Sequence, residues 1–246
     1  MTQTIGILGG MGPEATSYFF QLIIRNTLAE KDQEHIPVLI YSNPLIPPRT
    51  DAIQKIAPDP VPFLLQGIRT LIRAGADFFV MPCITAHYFL PDVLKEVDFP
   101  VVNLLDESAK WAGDMLPGLK KAGLISSMGT LKTGLFQKAF SRFDFNILEM
   151  DDNEQSVIRE AVFGKKGIKA GFITEGLREK IITVALNLIR NGAEAIITGC
   201  TEIPLVLKQQ DIPVPLIEPM EIGARVCIKK AGFKVKNPSL LTNSAN

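Results

Sequence analysis

Two cysteines stand at matching positions in two similar stretches of this 246-residue chain. Cys83 ends the segment LIRAGADFFVMPC, and Cys200 ends the segment LIRNGAEAIITGC, 117 positions later. Two thiols on opposite faces of one carbon atom can invert it, because a thiolate removes a proton from one side and the opposite thiol returns one. We therefore take Cys83 and Cys200 as the candidate acid and base of a proton exchange.

A second pair of segments has the same spacing. The segment GILGGMGPEAT begins at Gly6, and GLISSMGTLKT begins at Gly123, again 117 positions later. Two separate matches with one offset indicate an internal duplication. If the two halves pack about a pseudo-two-fold axis, the two thiols face each other across a single cleft. Cys227 has no such counterpart and lies in an apolar helical pattern, so it is predicted to be a core residue.

Short apolar runs that alternate with amphipathic segments predict the elements that hold these residues. Runs of this kind are typical of buried parallel strands, and the alternation predicts an α/β fold. Helical spacing of apolar residues covers Glu14–Lys31 and Leu177–Asn191. The predicted strands are Ile5–Gly9, Pro37–Ser42, Asp77–Met81, Val101–Leu104, Ala122–Ser126, Phe145–Met150, Ala195–Thr198 and Val214–Ile217. We expect two similar doubly wound parallel-sheet domains with the active site between them.

Both candidate thiols follow predicted strands, at the sheet edge where α/β proteins bind ligands. Helices predicted at Thr85–Leu90 and Glu202–Leu207 would begin just after each cysteine. A helix N-terminus or a nearby cation lowers the pKa of a thiol, and the thiolate is its reactive form.

The first glycine-rich turn, GMGPEA from Gly10, fits the dinucleotide-binding pattern only weakly. That pattern expects an acidic residue after the second strand, where this chain has Ser42-Asn43-Pro44. We therefore predict no nucleotide cofactor. Backbone N–H groups at this helix start, around Met11 and Gly12, are instead candidates for holding a substrate carboxylate.

Composition excludes several functional classes. Lys plus Arg and Asp plus Glu number 26 each, so the charge balance suggests no nucleic-acid or acidic-membrane partner. Three cysteines and two histidines without metal-binding spacing predict neither a disulfide framework nor a metal site. The chain starts without a basic and apolar leader and lacks a membrane-length apolar run, so a cytoplasmic protein is expected.

The motifs resemble the aspartate/glutamate racemase superfamily, most closely its aspartate racemase branch, over almost the whole chain. They are GILGGMGPEAT at Gly6, MPCITAH at Met81 and GCTEIPL at Gly199. This resemblance implies a cofactor-independent racemase of aspartate or glutamate that uses Cys83 and Cys200, and commonly a homodimer. It also implies that the C-terminal helix returns to the first domain, which gives domains of residues 1–103 plus 219–246 and of residues 104–218.

The resemblance assigns further substrate-binding residues. Arg49 matches the family's carboxylate-binding basic residue, and Lys169 matches a family lysine, with Lys165 and Lys166 as rivals. The family usually has asparagine where this chain has Ile84, so a hydrogen-bond donor to the substrate is missing. Other candidates near the thiols are Thr85 and Thr201 as donors or helix caps, Glu202 as a proton-steering or amine-binding group, and His87 as an orienting or structural residue.

Two other functions stay open. One is a decarboxylase or cis-trans isomerase of the same superfamily, in which one cysteine acts as nucleophile or sole acid. The other is a protein that binds a small dicarboxylate without turning it over, which the missing donor at Ile84 keeps in consideration. Retention of both cysteines favours the racemase.

Overall fold

The chain forms two parallel four-stranded sheets, seen in a computed structural model that describes residues 2–236. The strands of the first sheet are β1 (Ile5–Gly9), β2 (Val38–Ser42), β3 (Phe78–Val80) and β4 (Val101–Val102). Those of the second are β5 (Lys121–Ile125), β6 (Asn146–Glu149), β7 (Ala195–Thr198) and β8 (Leu216–Ile217). The sheets have the same strand order, β2-β1-β3-β4 and β6-β5-β7-β8. The predicted two-sheet α/β fold is therefore confirmed.

Helices connect the strands in both halves. The α-helices are α1 (Pro13–Asn26), α2 (Arg49–Ile53), α3 (Val61–Arg73), α4 (Leu90–Glu96), α5 (Leu104–Met115), α6 (Met128–Thr133), α7 (Leu135–Phe140), α8 (Asp152–Phe163), α9 (Glu175–Arg190) and α10 (Pro219–Lys230). Short 3-10 helices lie at Asp32–Glu34, Ile84–Phe89, Ser141–Phe143, Ile168–Ala170, Ile203–Leu205 and Gln209–Asp211. Within residues 2–236, no helix combines the length and hydropathy needed to cross a membrane.

The central strand β1 is buried on both faces, and its successive residues point to opposite sides of the sheet. In β1, Ile7 belongs to the hydrophobic cluster that includes Phe19 of α1. The next residue, Leu8, belongs to a second cluster with Ile68 of α3. This arrangement explains why the strands are continuous apolar runs without polar alternation.

The two halves repeat hydrogen bonds as well as sequence. The Thr16 hydroxyl donates to the Gly12 carbonyl at 2.8 Å, and the Thr133 hydroxyl donates to the Gly129 carbonyl at 2.8 Å. Each bond fixes the turn that follows the first strand of its half. Another equivalent pair runs from the backbone N–H of Thr4 to Asp77 and from that of Lys121 to Glu194.

Helix α1 ends five residues before the predicted Lys31. Thr27 turns to extended backbone, and its hydroxyl and N–H both donate to the Ile23 carbonyl, at 2.7 and 3.1 Å. Thr27 then forms an antiparallel bridge with Val235. This long-range pairing overrides the helical spacing of the apolar residues beyond it.

Helix α10 packs against α1 and α5. Tyr18 of α1 donates to the carboxylate of Glu218, the residue before α10, at 2.9 Å, and Asn26 donates to Glu221 at 3.0 Å. Helix α10 thus contacts helices on both sides of the predicted domain boundary at residue 104, and the domain bounds stay a prediction. Residues 237–246 of the predicted first domain lie outside the described part.

Candidate active site

A cleft of about 680 Å³ lies at the carboxyl ends of the strands and is lined by both halves. This volume is within the range of roughly 300–1,000 Å³ that small-molecule sites occupy. The ten predicted site residues all line it: Met11, Gly12, Arg49, Cys83, Ile84, Thr85, Lys169, Cys200, Thr201 and Glu202. Both candidate thiols therefore border one shared space.

Cys83 follows β3 and begins the 3-10 helix Ile84–Phe89. His87 lies within hydrogen-bond distance of its carbonyl, 3.0 Å from Nδ1. The backbone N–H of Leu104 donates to Nε2 of the same ring at 3.3 Å, so Nδ1 carries the proton that Cys83 accepts. Burial lowers the pKa of His87, which keeps the ring neutral. His87 thus holds the backbone of Cys83 and does not line the cleft.

Cys200 follows β7 and has an acidic partner. Its thiol donates to Oε2 of Glu202 at 3.0 Å, and the Thr201 hydroxyl donates to the same oxygen at 3.3 Å. Burial and then the Glu202 charge raise the pKa of the Cys200 thiol well above its ordinary value, so its resting form is the thiol. The helix predicted at Glu202–Leu207 is only the 3-10 turn Ile203–Leu205, too short to lower that pKa through its dipole.

Lys169 is paired with Glu202, the same carboxylate that accepts the hydrogen bond of Cys200. Its ammonium forms an ion pair with Oε1 of Glu202 and donates to the Met11 carbonyl at 3.1 Å. Burial lowers the pKa of Lys169, but the charges of Glu202, Cys200 and Cys83 outweigh burial and raise it. Lys169 is therefore a charged cation in the cleft that both thiols border. The rival lysines, Lys165 and Lys166, are exposed and do not line the cleft.

Arg49 is held at the start of α2 by backbone carbonyls. Its Nη1 donates to the carbonyls of Ile46 and Pro47, both at 2.9 Å, and its Nη2 donates to that of Met11 at 3.0 Å. Its Nε is buried with no hydrogen-bond partner among residues 2–236. A substrate carboxylate that binds Arg49 must therefore use the remaining donors or displace a carbonyl.

The first glycine-rich turn is fixed by backbone contacts. Gly10 has a φ of +91°, and a Cβ there would lie 2.3 Å from the backbone of Asn43. Its N–H is already bound to the Thr16 hydroxyl at 2.9 Å. A Cβ on Gly12 would lie 3.3 Å from Glu202 and from Lys169. The turn thus leaves room for the ion pair, and the Met11 carbonyl accepts hydrogen bonds from two cations.

The residues after Cys83 have different environments. Ile84 is 2% exposed, lines the cleft and presents no donor there. The Thr85 hydroxyl bonds to Ser127 at 3.0 Å and to Thr130 at 2.9 Å, and these two hydroxyls are 3.2 Å apart. This hydroxyl cluster of Thr85, Ser127 and Thr130 crosses from one half to the other.

Sequence reasoning missed part of the site. Ser127 lines the cleft, although its segment had been recognised as the second copy of the glycine-rich turn, so a signal existed. Helix α8 also lines the cleft, through Gln155, Ile158, Arg159 and Phe163. An exposed arginine on an amphipathic helix gave no signal of this kind. Among residues 2–236, no group of three or more histidine, cysteine or acidic side chains is arranged to hold a metal ion.

Solved structures of similar proteins share this fold. The chain is similar to an aspartate racemase of Picrophilus torridus, with a TM-score of 0.86 and 29% identity over 97% of this chain and 98% of that one. It is also similar to an aspartate racemase homologue of Pyrococcus horikoshii, with a TM-score of 0.74 and 26% identity over 94% and 99% of the two chains.

Sequence comparison gives the same family. The broad specificity amino-acid racemase RacX of Bacillus subtilis is 25% identical over 87% of this chain and 92% of its own length. The sequence profile of the family described as Asp/Glu/Hydantoin racemase matches residues 8–227. Because that match spans most of the sequence, the chain belongs to the Asp/Glu/hydantoin racemase family, a family of isomerases.

Proposed function

We propose that this protein interconverts the L and D forms of an acidic amino acid, aspartate or glutamate, by proton exchange between Cys83 and Cys200. The observation that carries the proposal is that both thiols, at equivalent positions of the two halves, line one cleft. The names of the Picrophilus and Pyrococcus relatives support aspartate as a substrate.

The geometry suggests how each direction starts. Cys200 rests as a thiol, so it is the proton donor when the Cys83 thiolate removes the Cα proton. In the reverse direction Cys200 must first lose its proton, and Glu202 is the acceptor in contact with it. The negative charge that develops on the substrate is stabilised by nearby donors and cations, among them the Lys169 ammonium, which lines the same cleft.

Deuterium exchange tests the proposal. L- and D-aspartate and L- and D-glutamate are each incubated with the protein in D₂O, and Cα deuterium and optical inversion are followed by NMR and chiral chromatography. We expect inversion with deuterium at Cα. The variants Cys83→Ala and Cys200→Ala should each lower the rate of inversion at least about a thousandfold, because each removes one of the two proton carriers.

The matched control is Cys227→Ala, since Cys227 is buried in α10 and does not line the cleft. It should keep near-normal inversion. If either cleft variant inverted its substrate as fast as this control, the two-thiol mechanism would be wrong.

A second candidate function is favoured by Ile84 alone: the protein binds a small dicarboxylate without turning it over. Ile84 leaves a cleft position without a donor, which removes a hydrogen bond to a charged group worth about 1.5–3 kcal/mol. Saturable binding by calorimetry without Cα exchange would support this candidate against the racemase.

A further inference from the structure

Helix α8 presents one continuous face to the cleft. The four residues that line it, Gln155, Ile158, Arg159 and Phe163, are spaced three, four and eight positions from the first. Residues with this spacing share one side of an α-helix. The face belongs to the second half and is separate from the loops that carry the thiols.

The end of this face contacts the Lys169 ammonium. The Lys169 ammonium is 5.5 Å from the ring centroid of Phe163, the last residue of α8. Arg159 is one turn earlier, which is about 6 Å along the helix axis. Arg159 therefore lies one turn from the residue that contacts Lys169, and it borders the same cleft as both thiols.

Arg159 differs from the other two cations of the cleft. The Arg49 guanidinium donates to three backbone carbonyls. The Lys169 charge is balanced by Glu202. Arg159 makes no hydrogen bond or ion pair within residues 2–236, so its five donors are available to a ligand.

A dicarboxylic amino acid carries two carboxylates and one ammonium group. The family match gives one of these carboxylates to the remaining donors of Arg49, and Lys169 is already paired with Glu202, so Arg159 is the cleft cation left for the other carboxylate. We propose that Arg159 binds the side-chain carboxylate of the substrate and so selects acidic over neutral amino acids. This inference rests on the proposed function in taking a dicarboxylic amino acid as the ligand, with Arg49 holding its other carboxylate.

Two acidic residues on the opposite rim offer Arg159 a different partner. Glu14 of α1 and Asp51 of α2 also line the cleft. If Arg159 served as a latch to one of them, its loss would weaken all substrates alike. A residue that binds the side-chain carboxylate affects acidic substrates only, and this difference separates the two roles.

The test compares acids with their isosteric amides. Binding constants from calorimetry and rates of Cα exchange are measured for aspartate, asparagine, glutamate and glutamine with the wild type, Arg159→Gln and Arg159→Lys. For the better acid, Arg159→Gln should weaken kcat/KM and binding about ten- to a hundredfold, mainly through KM. Amide binding should change by less than about twofold, and Arg159→Lys should restore part of the loss.

The control variant is Lys166→Gln, which removes an exposed cation that does not line the cleft and should change none of these values. Equal losses for acids and amides, or no loss for either, would overturn the role of Arg159. A wild type that binds acids through Arg159 but exchanges no Cα proton would refute the racemase and leave this inference standing.

Discussion

The two candidate thiols have unequal surroundings although they occupy equivalent positions of the two halves. Cys200 donates to Glu202, which is paired in turn with Lys169. The backbone of Cys83 is held by a neutral histidine, and no side-chain hydrogen bond to its sulfur is recorded among the described residues. The pKa of Cys200 therefore depends on two charged neighbours, Glu202 and Lys169, and each dependence can be measured.

We expect Glu202→Gln and Lys169→Met to shift the pKa of Cys200 in opposite directions. Glu202 raises this pKa through its charge and Lys169 lowers it, so loss of the carboxylate should lower it and loss of the ammonium should raise it further. A shift of about one unit changes the thiolate fraction about tenfold. The rate at which iodoacetamide alkylates Cys200, followed by mass spectrometry against pH, measures the shift.

The alkylation of the buried Cys227 in the same samples is the internal control for unfolding. If the pH midpoint of Cys200 alkylation moved the same way in both variants, the charges of Glu202 and Lys169 would not control this thiol.

At the scale of elements, the contact between α1 and α10 contains an ionisable group. Glu218 accepts a hydrogen bond from Tyr18, and burial raises the pKa of Glu218 to about 7. Neighbouring Glu221 also raises that pKa, while the Tyr18 hydrogen bond and Lys208 lower it. The folded protein therefore binds a proton at Glu218 more tightly than the unfolded chain does.

This proton makes the free energy of unfolding depend on pH. The contribution from protonated Glu218 is fully present below about pH 4.5 and is lost as the pH rises through about 7. In urea titrations, the wild type should lose stability between about pH 5 and pH 8, and Glu218→Gln should lose less over the same interval. Equal pH dependence of the two proteins would contradict the assignment.

Most elements could be predicted because their signals are local. Buried parallel strands are short apolar runs, and all eight lie within a few residues of their predicted bounds. The end of α1 could not be predicted, because Thr27 pairs with Val235, which is far away in the sequence. The helix after Cys200 is likewise shorter than its pattern suggested.

The site could be predicted where the duplication or a family motif marked it, which is why all ten candidate residues border the cleft. Their substrate-binding roles stay predictions. The sequence did not reveal the ion pair of Lys169 with Glu202, the carbonyls that hold Arg49, or the cleft-lining face of α8. These arise where segments far apart in the chain meet, and no local pattern encodes that meeting.

At the scale of the whole molecule, the hydroxyl cluster of Thr85, Ser127 and Thr130 joins the two halves beside the cleft. Thr130 is fully buried, so a hydroxyl group that loses its partner there is costly. Gly129 packs closely against the same region, since a Cβ there would lie 2.6 Å from the Thr50 hydroxyl and 2.9 Å from the Thr85 methyl group. The cluster thus helps to set the separation of the halves.

We expect Thr85→Val to lower the free energy of unfolding by about 1–3 kcal/mol, because it removes two hydrogen bonds with little change in shape. Thr85→Ser keeps the hydroxyl and should recover most of this loss. Urea denaturation followed by circular dichroism measures both variants. A valine variant as stable as the wild type would show that the cluster does not stabilise the contact between the halves.

The unequal surroundings of the two thiols have a thermodynamic limit. Mirror-image amino acids in solution have the same free energy, so any racemase must leave them in a 1:1 mixture, and the ratio of kcat/KM for the two enantiomers must equal one at every pH. Whatever the Glu202–Lys169 pair does to the ratio of the two kcat values, the ratio of the two KM values must change by the same factor, so the enantiomer that turns over faster also has the proportionally higher KM.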